Sequence, residues 1–326
     1  MPAASSASPP PAGSLAALHV AVALFGFAGL FGKWIAWDPA AIVLGRTLVA
    51  AAVLAAVVRW RRGALAWPGA ALAANGVILA VHWVAFFAAV QASTVAIGLL
   101  GFASFPLFTV LLERALLGVP LRPAAWAKVA LVTAGLLLLV PEFAWASAAV
   151  RGLAWGVLSG FTFALLTVRT RALRARTDAL RIALWQNAVA ALAVAPVVVA
   201  QGFLPAAVEP QALLLVVVLG VFCTAGAHTL FIASLARVPA ATAAVVAALE
   251  PVYGIALAWW LLAETPDLRT LAGAALLVAA AAIATRPGGP GCMTHGTRNT
   301  DSVASGLHRP CPPSPGRGAR CLVGRR

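Results

Sequence analysis

Glu250 stands inside an apolar run, Ala240–Leu262, where an ionised carboxylate is expensive if the run lies in lipid. Pro251 follows it and has no amide to give, so the carbonyl of Ala247 loses its helical partner at the same depth. A carboxyl group beside loosened backbone suits cation binding or proton exchange. Its other reading is a pairing that only joins two helices. His228 and His82 sit in apolar runs of their own, where an imidazole either bonds across helices or takes up and releases a proton. Arg46 lies about two turns from the end of its run. Either its side chain snorkels outward, or it faces a cavity and meets Glu250 or an anionic solute group. Gln186 and Asn187 are the polar spot of an otherwise apolar run, as Asn75 is of another, and such amides commonly tie helices together. Trp83, Phe86 and Tyr253 are the aromatic residues suited to lining a cavity.

No catalytic set accompanies these residues. There is no H-E-x-x-H helix and no carboxylate cluster for a divalent cation. No G-x-x-x-x-G-K-[ST] loop is present for a nucleotide. Cys223 lies in an apolar run, and Cys292, Cys311 and Cys321 in the last forty residues form no C-x-x-C pair. No metal and no cofactor is expected.

The elements that must position these residues follow from composition. Of 326 residues 62% are apolar and only 10% are Asp, Glu, Lys or Arg, too few charges to cover a soluble protein of this size. The formal charge of +14 suggests nucleic acid until it is located. The stretch 286–326 carries seven Lys/Arg and one acidic residue, and its Arg, Gly, Pro and Ser content predicts disorder, as does that of residues 1–12. Between them lie apolar stretches long enough to cross a bilayer as helices, near 14–33, 39–58, 69–90, 94–116, 125–141, 151–168, 180–200, 211–234, 240–262 and 268–285. Ten spans are expected. The first is too long for a cleavable signal peptide and lacks a basic leader. With the N-terminus inside, twelve Lys/Arg fall in inner loops and three in outer ones, which puts both termini in the cytoplasm. Trp34 and Trp37 at one surface and Trp60 and Trp67 at the other read as interfacial anchors.

The two halves repeat. His82, then Ala92-Ser93-Thr94-Val95-Ala96, Phe105-Pro106 and Leu116-Leu117-Gly118 correspond to His228, Ala240-Ala241-Thr242-Ala243-Ala244, Glu250-Pro251 and Leu261-Leu262-Ala263. The offset is 146 residues at the histidines and 145 at the prolines. Pro106 and Pro251 are thus repeat-related helix kinks, with Phe105 standing where Glu250 does. Five spans per half would insert the second copy upside down, an arrangement used by secondary transporters with the solute site where the halves meet.

On these residues the chain resembles the EamA-type transporters of the drug/metabolite superfamily. The pattern is carried by Ser234-Leu235-Ala236 through Thr242, Leu249-Glu250-Pro251-Val252 and Leu261-Leu262-Ala263-Glu264, with Phe105-Pro106, Leu117-Gly118, Arg46 and the Arg59–Arg62 loop from the first copy. It covers roughly residues 13–285. Two positions depart from it, since Val119 replaces an acidic residue and Ala263 a glycine.

The expectation is an all-α integral membrane protein, with ten transmembrane helices in two inverted five-helix repeats at 13–141 and 142–285. It should sit in the inner membrane of a bacterial-type cell and export small metabolites, amino-acid-like compounds or drugs without ATP. Its partners are then a small-molecule substrate and the lipid bilayer, not nucleic acid, with a homodimer left open. A membrane enzyme or a non-transporting scaffold are the competing classes.

Overall fold

The computed structural model describes residues 11–65, 69–118, 147–202 and 209–263, with short pieces within 126–134 and 265–279. These residues form α1 (Ala12–Trp34), α2 (Pro39–Trp60), α3 (Ala70–Ala92), α4 (Val95–Phe102), α5 (Phe105–Leu117), α6 (Ala148–Leu173) and α7 (Ala179–Ala200). Then follow α8 (Pro210–Val218), a π-helix (Leu219–Gly226), α9 (Ala227–Ser234), α10 (Ala240–Ala247) and α11 (Glu250–Leu262). Among the described residues no strand occurs, and eight helical segments are long and apolar enough to cross a membrane. They coincide with eight of the ten expected spans. The stretches 125–141 and 268–285, most of 1–12, the tail 286–326, Trp67, Val119, Glu142, Glu264, Asp267 and Arg269 fall largely or wholly outside the described residues.

Helix starts are written locally. Asp38 precedes Pro39 and accepts from the Ala40 amide at 2.8 Å. Thr94, Ser147 and Asp178 accept from the amides of Ile97, Val150 and Arg181 in the same manner. Each satisfies a donor that the first helical turn leaves over. Between α6 and α7 the connection is only 174–178, shorter than the 169–179 gap between the expected spans. Arg169 and Arg171 belong to α6, and Arg171 turns its guanidinium onto the carbonyls of Leu235 and Val238.

Two spans are interrupted at related places. The span 95–117 breaks at Ala103-Ser104 and the span 240–262 at Ala248-Leu249, each just ahead of a proline in the first turn of the next helix. Both end in a left-handed residue, Gly118 at φ 66° and Ala263 at φ 56°.

Packing follows the repeat. α6 lies against α3, α4 and α5, as α1 lies against α9, α10 and α11, and α2 crosses its counterpart α7. Along α3 and α6 the contacts run in opposite order, Asn75 to Thr170, His82 to Ser159 and Ser93 to Gly152. Along 95–117 and α6 they run in the same order, Gly101 on Gly156 and Phe105 near Gly160. Gly101 and Gly156 meet backbone to backbone, and a Cβ on either would stand less than 3 Å from the other helix. Lipid gives helices no hydrophobic reason to associate, so such close approach supplies much of the adhesion. Outward-facing Leu192, Val199, Trp259 and Trp260 are exposed apolar residues that suit a hydrocarbon surround, and Trp60 stands exposed at the end of α2.

Candidate functional site

The interrupted helices border one buried cavity. Phe25, Ala28, Arg46, His82, Trp83, Phe86, Phe102, Phe163, His228 and Glu250 line it. It is tight, with about 20 Å³ open to the centre of a water molecule, enough for about one water.

Arg46 does not snorkel. It is 1% exposed. Its Nε donates to Thr224 Oγ1 at 2.8 Å, and its guanidinium carbon lies 4.0 Å from the Trp83 ring centroid and 5.3 Å from that of Phe87. A hydrogen bond and two aromatic faces replace the water an outward turn would have reached. Thr224 is delivered by the π-helix, where its hydroxyl also donates to the carbonyl of Leu219, five residues back. The Nη nitrogens of Arg46 donate to no described residue.

Glu250 is 3% exposed and opens α11. Its carboxylate accepts no hydrogen bond from a described residue, and no ion pair within 4.0 Å joins it to Arg46. Both groups face the cavity, the guanidinium from the first repeat and the carboxyl from the second. α1 packs on the backbone of Glu250–Gly254 at Gly26, as α6 packs on Phe102–Phe105 at Gly160.

Both histidines bond across helices and also face the cavity. His82 Nδ1 lies 2.9 Å from the Ser159 hydroxyl and 3.0 Å from the Ser159 carbonyl oxygen. Its ring sits among Phe163 and Phe102, 5.0 and 5.6 Å away between centroids. His228 packs edge-on to Trp83 at 5.5 Å, and its Nε2 lies 2.9 Å from Gln186 Oε1.

The structure thus brings Arg46, His82, Trp83, His228 and Glu250 to one place. Gln186, Asn187 and Tyr253 lie outside the lining. Gln186 is one step behind it through His228, and half-buried Tyr253 packs on Gly26. Asn187 is buried, its Nδ2 donates to the Ala183 carbonyl at 2.8 Å, and its Oδ1 has no partner among the described residues. Pro106 and Pro251 mark the two helix breaks. Sequence reasoning missed Phe25, Phe102 and Phe163 as walls, and Ser159 and Thr224 as partners. Hydroxyls within long apolar runs were the available sign of the last two. Among the described residues no three His, Cys, Asp or Glu side chains gather as a metal site.

Eight helices long and apolar enough to cross a membrane, two of them with repeat-related breaks beside a buried cavity, define a polytopic membrane protein. The chain belongs to the EamA-like transporter family, whose model matches residues 12–140 and 150–286 in two copies. A solved structure described only as "Crystal structure of protein" shares the fold, with a TM-score of 0.67, 24% identity, and cover of 84% of this chain and 96% of that one. No curated protein matches the sequence.

Proposed function

We propose that the protein moves small zwitterionic, amino-acid-like solutes across the inner membrane by alternating access, with the Arg46–Glu250 cavity as the solute site. The observation that carries this is the placing of one cation and one carboxylate, from opposite repeats, in a single aromatic-walled cavity with hydrogen-bonding capacity to spare. The Nη donors of Arg46 match a carboxylate, and Glu250 matches an ammonium. Phe25, Phe86, Phe102 and Phe163 match an apolar side group. A solute the size of phenylalanine needs more room than the cavity has. Widening therefore belongs to the cycle, and the breaks before Phe105 and Glu250 are where the walls can bend.

Ten spans in two inverted repeats fit the contact order. The span 95–117 runs parallel to α6, so the chain leaves one face of the bundle at Leu117 and re-enters from the opposite face at Ala148. That supports an odd number of crossings in each repeat. The excess of Lys/Arg in alternate connections supports cytoplasmic termini. Export, rather than uptake, rests on the family resemblance alone.

The test is counterflow of labelled phenylalanine in proteoliposomes. Uptake above that of empty vesicles, reduced in Glu250→Gln and Arg46→Gln, is the expected result. Full activity in both variants would remove the cavity from consideration.

A further inference from the structure

Behind the cavity wall a buried chain of side chains ends on His228. His228 Nε2 lies 2.9 Å from Gln186 Oε1, and Gln186 Nε2 donates to Thr170 Oγ1 at 2.9 Å. Asn75 Nδ2 also donates to Thr170, at 3.3 Å, and Asn75 Oδ1 accepts from Arg169 Nε at 2.7 Å. Arg169 further reaches the carbonyl of Ala71 at 3.4 Å. Gln186 and Asn75 are fully buried, and Thr170 and His228 are 2% exposed. An arginine can only donate, so Asn75 must turn its oxygen to Arg169 and its nitrogen to Thr170. Gln186 turns its oxygen to His228, and an amide oxygen can only accept, so with this orientation Nε2 of His228 carries the proton. A neutral imidazole has one proton, so Nδ1 is then bare.

We propose that Gln186, which does not line the cavity, is a positioning residue for it: by accepting the Nε2 proton of His228 it makes Nδ1 the ring's hydrogen-bond acceptor for a solute N–H or O–H. The proposal rests on the reading of the cavity as the solute site. His82, the repeat-related ring, is held through Nδ1 instead, so the two imidazoles are anchored by opposite nitrogens. His228 and Glu250 then act as two acceptors in one cavity, facing the donors of Arg46. An ammonium with three N–H groups can engage both acceptors.

The experiment uses the full chain in nanodiscs with ¹⁵N-labelled histidine, the His228 signals being assigned by their loss in His228→Gln. Wild type should show Nε2 protonated and Nδ1 bare. Gln186→Leu should release the ring into mixed tautomers and raise the phenylalanine KM in counterflow about tenfold with little change in maximal rate, the size of one lost hydrogen bond. Gln186→Glu, which keeps an acceptor in place, should restore the tautomer and most of the affinity. A proton found on Nδ1 in wild type overturns the proposal, as does an unchanged tautomer in Gln186→Leu. A lost tautomer with unchanged KM also overturns it, because the ring would then be held for no solute. If wild-type vesicles show no phenylalanine counterflow, the solute reading is what fails, and the nitrogen spectrum still decides whether Gln186 fixes the ring.

Discussion

Glu250→Gln keeps the shape of the side chain and removes its charge, so it isolates the carboxylate's part in solute binding. Glu250 is 3% exposed and accepts nothing from a described neighbour, which leaves both oxygens for a solute ammonium. A hydrogen bond to a charged group is worth about 1.5–3 kcal/mol. At 1.36 kcal/mol per factor of ten, the KM for phenylalanine should rise about 10- to 150-fold. The solute can be cut as well as the protein. 3-Phenylpropionate has no ammonium, so it should compete with labelled phenylalanine more weakly than unlabelled phenylalanine does by a similar factor. The same Glu250→Gln change should then leave its inhibition constant almost unmoved. Phenethylamine, which has no carboxylate, plays the corresponding part for Arg46→Gln. Measured as inhibition constants in counterflow, the four values for each residue form a closed cycle whose coupling is the pairing itself. If Glu250→Gln weakened phenylpropionate as much as phenylalanine, the carboxylate would not meet the ammonium, and the reasoning from its free oxygens would be refuted.

Three further outcomes are expected. Ala263 holds φ 56°, a conformation that costs a residue with a Cβ about 1–2 kcal/mol, of which glycine's looser unfolded chain gives back about 0.4–1. Ala263→Gly should thus stabilise the protein by roughly 1 kcal/mol and Gly118→Ala should destabilise it by a similar amount; detergent-unfolding midpoints moving the other way would contradict the capping geometry. Thr224→Val deprives the buried Arg46 Nε of its acceptor and should cost about 1.5–3 kcal/mol, read from the same midpoints, whereas no loss would mean that Trp83 and Phe87 suffice to hold the guanidinium. With the tail cysteines replaced by serine, Gly118→Cys and Ala148→Cys should react with an impermeant maleimide from opposite faces of the membrane, and reaction from a single face would rule out a parallel course for the spans on either side of 118–147.

What the sequence made legible was what depends on length and local chemistry. Eight spans stand where apolar runs of sufficient length stand, and Pro106 and Pro251 mark breaks because a missing amide acts within its own turn. The tertiary pairings were not readable. Arg46 looked free to snorkel because nothing in its own run reveals that a π-helix 178 positions away brings Thr224 to its Nε. Arg169 and Arg171 looked like loop charges, since their acceptors, Asn75 and the carbonyls of Leu235 and Val238, come from other helices. Gln186 was visible as a polar oddity, but its bond to His228 joins helices that only packing brings together. His82 and His228 were found through the repeat, because duplication leaves a trace at long range that pairing does not.

The charges also constrain how such a protein can be built. Arg46 belongs to one half, Glu250 to the other, and Phe105 stands where a second carboxylate would be. Two copies of the first half would bring guanidinium groups and no carboxyl to the cavity. Two copies of the second would oppose carboxylates with no counter-charge. Neither half can serve as its own mate, so this one chain is in effect an obligate heterodimer. Separated halves should regain a working site only when each is supplied with the other.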